Sequence, residues 1–322
     1  MTTASVSATA RSLPLAALGA ACLIAVAAFL FADLRGNIAF VLELRATQLL
    51  VFAQVAVSVG VATVLFQTVT ANRILTPAIM GMDALYLLCQ ALMIVVLGAL
   101  GLAGMDARLK FGLELAAMLG LALFIFLPLL RRTVDMGLLL LTGVVLGLLF
   151  HSLTSLFLRL ADPNDFAVYQ GASFADFSDV PKDLLWIGCI AAVAGAIIAW
   201  RSRHVLDVLS LGPESAIALG VDWRRMVTAL LVLVAVLTAT STALVGPLNF
   251  LGLLAVALAE RVANTRRHAV LLPAAILMAL TILVGGQVVL KHGFGNATFL
   301  SVVVEFFGGI VFLLLLFRSR LR

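Results

Sequence analysis

Charged residues are scarce in this 322-residue sequence, in which Asp, Glu, Lys and Arg together make up only 11% of the chain and hydrophobic residues make up 63%. A soluble domain of this length needs far more charge to cover its surface. The shortage therefore excludes an ordinary soluble fold, and it predicts that lipid covers most of the protein.

Patterns that would indicate a redox or metal-dependent function are also missing. The three cysteines, Cys22, Cys89 and Cys189, lie in different apolar runs and have no CxxC spacing, which argues against a disulfide or a metal site. The four histidines are scattered over separate segments. No paired carboxylates or nucleophile-base set stands out, so a membrane-embedded enzyme is disfavoured, and we expect neither a metal nor another cofactor.

The sequence has no loop that could cradle the phosphates of ATP. Such a loop, GxxxxGK[ST], needs a lysine that follows glycine and precedes serine or threonine. None of the three lysines, Lys110, Lys182 and Lys291, is followed by serine or threonine. If the protein works with ATP, the nucleotide site must therefore belong to a separate subunit.

Long apolar runs, by contrast, occur along the whole chain. About 20 apolar residues cross the hydrocarbon core of a bilayer, and ten such windows predict an all-α, polytopic membrane protein with about ten transmembrane helices. Gly246-Pro247 separates the seventh window from the short eighth one, because proline removes a backbone donor. The windows lie near residues 13–32, 47–71, 77–103, 112–130, 136–158, 184–200, 226–246, 248–263, 270–290 and 299–317.

Lysine and arginine crowd the cytoplasmic connections of membrane proteins, and this rule orients the predicted helices. With both termini in the cytoplasm, most of the 21 basic residues fall on the inner side, and the longest outer loop, 159–183, is acidic. We interpret the net charge of +5 as a sign of this topology and of contact with anionic membrane lipid, not of nucleic-acid binding. The chain then forms a single transmembrane domain over 1–322, with a short cytoplasmic tail over 1–12.

A segment between the sixth and seventh predicted spans has the start and stop signals of a helix that is too short to cross a membrane. Pro213 and Glu214 suit a first turn, and Gly220 suits a C-terminal stop. Arginines flank the segment on both sides. We therefore predict a short interfacial helix within a cytoplasmic region over 207–222.

The run Leu211–Val221 reads Leu-Gly-x-Glu-x-Ala-x-x-Leu-Gly-Val and resembles the coupling-helix motif of the iron-siderophore and vitamin B12 class of ABC importer permeases, the FecCD-like proteins. The run ILTPAIMGMDALY is similar to the ferric catecholate-siderophore branch of that family. One departure is Val256–Arg261, where only Arg261 remains of a Pro-His-x-x-Arg run. Further stretches that resemble the family, in the same order along the chain, are 67–82, 139–147, 246–252 and 268–274.

The resemblance implies the transmembrane permease subunit of a binding-protein-dependent ABC importer, which moves a ferric siderophore across the cytoplasmic (inner) membrane of a bacterium. The chain would be no enzyme itself, because separate ABC ATPase subunits would hydrolyse ATP. Other implied partners are a second permease subunit, with a heterodimer favoured over a homodimer, and a periplasmic or lipid-anchored solute-binding protein. An ion-coupled secondary transporter, or a haem or cobalamin importer of the same family, remains an open alternative.

The resemblance also assigns candidate roles to residues. A pathway between two permeases would be lined mainly by the fifth and tenth helices, and the connection 131–137 would gate its cytoplasmic end. The candidates for ATPase coupling are Leu211, Gly212, Glu214, Ala218, Leu219, Gly220 and Val221; those for docking of the binding protein are Arg45, Gln48 and Lys291; and those for the pathway or its gate are Met136, Gly137, His151, Ser152, Ser155 and Glu305.

Ionisable residues inside the predicted spans are functional candidates, because they are costly in lipid. Asp83, Glu114 and Glu305 could line the pathway, whereas Asp83 and Glu114 could also reach the interface from helix ends. His151 and the hydroxyl groups beside it could line the pathway or bond to a neighbouring helix. A GxxxG pair, residues 143 and 147, favours close packing.

Overall fold

The computed structural model describes residues 3–33, 36–132, 136–178, 180–293 and 298–319. Within these ranges every regular element is helical. A short 3-10 helix spans Pro77–Met80, and the α-helices are α1 Thr3–Phe31, α2 Ile38–Thr70, α3 Met82–Ala103, α4 Ala107–Arg132, α5 Met136–Leu160, α6 Pro163–Ala172, α7 Lys182–Arg201, α8 Arg203–Leu209, α9 Pro213–Ala218, α10 Trp223–Val245, α11 Leu251–Ala263, α12 His268–Gly293 and α13 Leu300–Ser319.

Each of the ten predicted apolar windows falls on one of these helices. In the described part of the chain, seven helices are long and apolar enough to cross a membrane, namely α1, α2, α3, α5, α7, α10 and α12. The remaining three windows fall on α4, α11 and α13. The predicted all-α, polytopic membrane protein is thereby confirmed.

Helix α2 is the centre of the bundle and packs against α1, α7, α10, α11 and α12. In the most apolar 18-residue stretch of α2, 72% of the residues are buried inside the protein, compared with 17% in the apolar stretch of α1. Peripheral helices expose large hydrophobic side chains, of which Leu100 on α3, 92% exposed, is the extreme case. Exposure of this kind on membrane-length helices fits contact with lipid.

The predicted break between the seventh and eighth windows is present. Helix α10 ends at Val245, and Gly246 adopts φ +98°, a conformation that favours glycine. A Cβ atom at Gly246 would lie 3.2 Å from the Cα atom of Ala175, so the turn also needs a residue without a side chain for packing. The Asp176 amide donates to the Val245 carbonyl at 2.8 Å, which ties the outer loop to this turn.

The GxxxG pair on α5 packs against a turn rather than against a second long helix. Gly81, which ends the 3-10 helix with φ +83°, lies on Gly143 and Gly147. A Cβ atom at Gly81 would be 3.1 Å from the Gly147 amide nitrogen, which is closer than packed side chains normally allow. The small residues therefore seat the beginning of α3 directly on α5.

Two features of the region between α3 and α7 were not predicted. The acidic loop contains a helix, α6, whose N-cap Asp162 accepts a hydrogen bond from the Asn164 amide at 3.1 Å. In addition, α3 is broken at Gly98, with φ 71° and ψ 169°. The Ala99 amide beyond the break donates to the Asp165 carboxylate of α6 at 3.0 Å. The Asp-Pro pair at the start of α6 is a cap signal that a closer search of the loop would have found.

Candidate functional site

A groove of about 360 Å³ lies where the 3-10 helix, α3, α5, the α10–α11 turn and α13 meet. His151 of α5 and Glu305 of α13 both line it. The Asn249 side-chain amide of the turn donates to Glu305 Oε1 at 3.0 Å. Two of the predicted pathway residues, far apart in the sequence, are thus brought to one groove by the fold.

The other predicted pathway residues on α5 lie outside the walls of this groove. Ser152 and Ser155 are exposed, and their hydroxyls donate to the carbonyls of Leu148 and His151, each at 2.9 Å, within the same helix. Gly137 is exposed near the start of α5. Residues 133–135 of the predicted gate lie outside the described residues, as does the side chain of Met136, so the gate stays a prediction.

The two other carboxylates of the predicted spans, Asp83 and Glu114, are buried inside the protein. Asp83, in the first turn of α3, is 5% exposed and accepts a 3.3 Å hydrogen bond from the Thr242 hydroxyl. Glu114 of α4 accepts a 2.8 Å hydrogen bond from the Gln90 side-chain amide of α3. Glu114 therefore joins two helices, whereas Asp83 belongs to the wall of the groove.

The predicted surface helix is present as α9, and its boundaries follow the predicted signals. Pro213 occupies the first turn, Glu214 follows it, and Gly220 has φ +83° after the last turn. The Val221 amide donates to the Ala216 carbonyl at 3.0 Å, and the Gly220 amide donates to the Ile217 carbonyl at 2.9 Å. These two bonds form the Schellman pattern, which requires the left-handed residue that glycine supplies.

Large apolar side chains are exposed on this short helix and on both sides of it. Ala216 is fully buried and anchors α9 to the protein, but Leu211, Ile217 and Leu219 are each between 60% and 62% exposed. Ala218 and Gly220 are also exposed, and Gly212 and Val221 are partly buried. The predicted coupling residues therefore form one continuous surface with an apolar centre, which we call the coupling surface (residues 211–221).

A series of side-chain hydrogen bonds centred on the buried His268 connects α8, beside the coupling surface, to α2 and α12. Asp207 of α8 accepts from the His268 backbone amide at 2.9 Å and lies 2.7 Å from His268 Nδ1. His268 Nε2 in turn lies 2.7 Å from the Thr68 hydroxyl near the end of α2. His268, only 3% exposed, begins α12. Asp207 and Thr68 were not predicted, because no local sequence pattern marks partners that lie so far apart along the chain.

The position expected for Arg45, on the outer rim, is corrected by the structure. Arg45 is 7% exposed, and its guanidinium donates to the carbonyls of Phe29, Leu30 and Ala32 at 2.7–2.9 Å. These carbonyls belong to the end of α1, where backbone acceptors lack helical partners and attract cations. Gln48 and Lys291, the other predicted docking residues, are partly exposed.

Ion pairs join residues that were predicted to lie on the same side of the membrane. Lys182 Nζ is 2.8 Å from Glu43 Oε1, between α7 and α2. Arg73, just after α2, is 3.5 Å from Glu260 of α11. Exposed pairs of this type add little stability, and the orientation of the two ends in the membrane stays a prediction.

The fold and the site together define a multi-pass membrane protein of the transport class, with a polar groove among its helices and a short surface helix outside them. Residues 25–318 match the FecCD transport family, and the chain belongs to that family. It is 38% identical over 299 residues to the petrobactin import system permease protein YclO of Bacillus subtilis, covering 92% of this chain and 95% of the relative.

Further comparisons agree. The petrobactin import system permease protein FatC of Bacillus anthracis is 31% identical over 266 residues, covering 82% of this chain and 75% of FatC. In fold, the chain is similar to a solved protein described as an inward-facing metal-chelate type ABC transporter, with a TM-score of 0.80, 21% identity, and coverage of 95% of this chain and 99% of that one. The family resemblance and the permease function predicted from the sequence are confirmed.

Proposed function

We propose that this chain is the permease subunit that carries a ferric siderophore across the bacterial cytoplasmic membrane, in an importer driven by ATP hydrolysis on separate subunits. The observation that carries the proposal is the coupling surface, where three large apolar side chains are exposed within 11 residues, one on the six-residue helix α9 and one on each side of it. Such a patch outside the membrane-length helices fits a protein partner. Relatives named as petrobactin import permeases support an iron chelate as the cargo.

The proposed topology has ten spans within one permease domain, residues 1–322, and both termini in the cytoplasm. The ten apolar windows, each on a helix, support this count. Helix α11 is the weakest span: its 13 residues extend about 20 Å, which is shorter than a hydrocarbon core of about 30 Å. The extended turn that leads into it, with Gly246 and Pro247, would supply the missing length.

Energy coupling would begin where the coupling surface enters a groove on the ATPase. A movement of α9 would pass to α8, which packs against it. From α8, the hydrogen-bonded chain Asp207–His268–Thr68 leads to the start of α12 and the end of α2. Because α2 is the central helix, a displacement there reaches most of the bundle. These hydrogen bonds are a physical connection of the kind that coupling needs, and variants must test their energetic role.

A second permease subunit would cover the side of α5 and α13 that opens onto the groove. Leu148, which lines the groove, is 64% exposed, and α13 exposes Phe306 directly after Glu305. His151, Ser152 and Ser155 interrupt the apolar surface with polar groups. Lipid alone would favour a uniformly apolar face, so the mixed character supports a protein neighbour and a hydrated pathway. We propose that this neighbour is a different permease, which makes the assembly a heterodimer.

The binding protein would dock on the opposite end, where Gln48 and Lys291 are accessible. Charges at the rim of an interface mainly set the rate of association and its salt dependence. Arg45 would act indirectly, by holding the end of α1 in place.

Transport by the reconstituted complex tests the proposal directly. Proteoliposomes that contain this chain with its co-purified partners should accumulate radioactive iron from ferric petrobactin when ATP and the binding protein are present, and an ionophore should not stop them. Cobalamin and haem, offered under the same conditions, should be poorer cargoes. Uptake that does not require ATP but stops when the proton gradient is dissipated would instead establish the secondary-transporter alternative.

A further inference from the structure

A second, smaller cavity lies behind the groove, between α2, the turn before α3, α10 and the α10–α11 turn. Its volume is about 20 Å³, and a cavity of about 10–15 Å³ already admits a water-sized occupant. The lining combines one carboxylate with several hydroxyl groups. The polar residues around it are Thr63, Thr76, Asp83, Thr238, Ser241, Thr242 and Asn249.

Three deeply buried oxygen atoms of this lining have no hydrogen-bond partner among the described residues. They are Asp83 Oδ2, Thr76 Oγ1 and Ser241 Oγ, on side chains that are no more than 5% exposed. A buried polar atom without a partner costs free energy, and such atoms are rare in folded proteins. Three of them around one cavity point to a bound species that the side chains coordinate together.

The charged residues around the site indicate whether the bound species is positive or negative. No lysine or arginine is among the described residues that line the cavity or the adjoining groove. The 3.3 Å hydrogen bond from the Thr242 hydroxyl is the contact that the structure gives to the Asp83 carboxylate. Glu305, on the wall of the groove that Asp83 also lines, adds a second negative charge nearby. A cation is therefore favoured over an anion or a neutral ligand.

We propose that this cavity is a binding site for a small monovalent cation of the size of Na⁺. The Asp83 carboxylate would supply the compensating charge, and the hydroxyl oxygens of Thr76 and Ser241 would complete the coordination. Carboxylate and hydroxyl oxygens are the ligands that hard cations prefer. A single carboxylate balances a single positive charge, and the small volume leaves no room for a large hydrated ion.

The position of the site gives the cation a structural effect. Thr76 precedes α3, Asp83 lies in α3, and Ser241 lies in α10, so a bound ion holds three separate elements together. Thr76, Asp83 and Asn249 line both the cavity and the groove. The ion would therefore fix one wall of the groove. This inference does not depend on which chelate is carried.

Thermal unfolding of the purified complex in detergent tests the site. At constant ionic strength, replacing choline chloride with sodium chloride should raise the unfolding temperature in a saturable manner, and potassium should act more weakly. Asp83→Asn should abolish the response, and Ser241→Ala should weaken the apparent sodium affinity by about tenfold. Glu114→Gln is the matched control, because it removes a different buried carboxylate and should keep the response.

Equilibrium binding of radioactive sodium to the same complex provides a second measurement that does not depend on stability. We expect saturable binding that Ser241→Ala weakens and Asp83→Asn removes, in preparations that elute as intact complexes. An equal unfolding temperature in sodium and choline, or an unchanged sodium response in both cavity variants, would mean that the cavity holds only water. An equal response to potassium would overturn the assignment of ion size.

Discussion

The membrane bundle and the coupling surface both expose large apolar side chains, but for different reasons. On the bundle, Leu100 is exposed on a helix long enough to span the bilayer, where lipid satisfies it. On α9, Ile217 is exposed on a helix of only six residues, which is far too short to span a bilayer. Exposure alone therefore does not identify a docking site, and the length of the helix separates a residue that lipid can cover from one that needs another partner.

The largest expected effect comes from placing charge on the coupling surface. Ile217→Asp should abolish transport and substrate-stimulated ATP hydrolysis, because the ATPase can no longer bury this side chain. Ile217→Leu, the matched control, should retain most activity. Membrane insertion and binding of the solute-binding protein should be normal in both variants. Full transport by Ile217→Asp would show that the exposed residue is covered by lipid, as in the bundle.

The backbone of the same surface offers a second test. Gly220 has φ +83° and open space around its Cβ position. A side chain at this position would therefore strain the backbone without clashing with a neighbouring atom. Valine in a left-handed conformation should cost about 1–2 kcal/mol, whereas asparagine tolerates it. We expect Gly220→Val to uncouple ATP hydrolysis from transport and Gly220→Asn to work nearly normally, in a side-by-side assay of both activities. Equal activity of the two variants would rule out the helix stop as a coupling element.

Within the bundle, truncation of one core residue and one exposed residue would show which apolar side chains stabilise the fold. Phe52 of α2 is fully buried, and Phe52→Ala should cost about 3–5 kcal/mol. Leu100→Ala should change stability by no more than about 0.5 kcal/mol. Thermal unfolding in one detergent measures both. Similar losses at the two positions would mean that Leu100 packs against a partner subunit instead of lipid.

The Asp207–His268–Thr68 hydrogen bonds, which run from α8 to α2, should couple ATP hydrolysis to transport without being needed for docking of the ATPase. We expect His268→Ala to lower transport by about tenfold, comparable to the loss of one buried hydrogen bond to a charged group, while the ATPase still co-purifies. Asp207→Asn keeps the shape of the acceptor and should have a smaller effect. Loss of the co-purifying ATPase in His268→Ala would assign His268 to folding of the coupling region instead.

The smallest effect is expected at the outer end. Lys291→Glu should slow docking of the binding protein several-fold at low salt and have little effect at high salt, since rim charges act through screened attraction. Arg45→Lys should instead lower the unfolding temperature, because lysine cannot reach several carbonyls of α1 at once. Association kinetics and thermal unfolding separate the two. A docking defect in Arg45→Lys without a change in unfolding temperature would show that Arg45 contacts the binding protein.

The helices and the surface helix were predictable because their signals are local. Apolar runs locate the spans, and Pro213 and Gly220 mark the ends of α9 through their own backbone preferences. The Asp207–His268–Thr68 chain and the Arg45 cap were not predictable, because each depends on which helices become neighbours. The burial of Asp83 belongs to the same group, since α2, α10 and the turn before α3 must first assemble around it.

The break at Gly98 gives the outer end of α3 a different mechanical partner from the rest of that helix. Beyond the break, the Ala99 amide is held by Asp165 of α6 and no longer by the helix that precedes it. A helix with an interrupted ladder bends at the interruption. The last residues of α3 and the loop helix α6 are therefore linked as one mechanical unit, while the start of α3 is seated on α5 through Gly81.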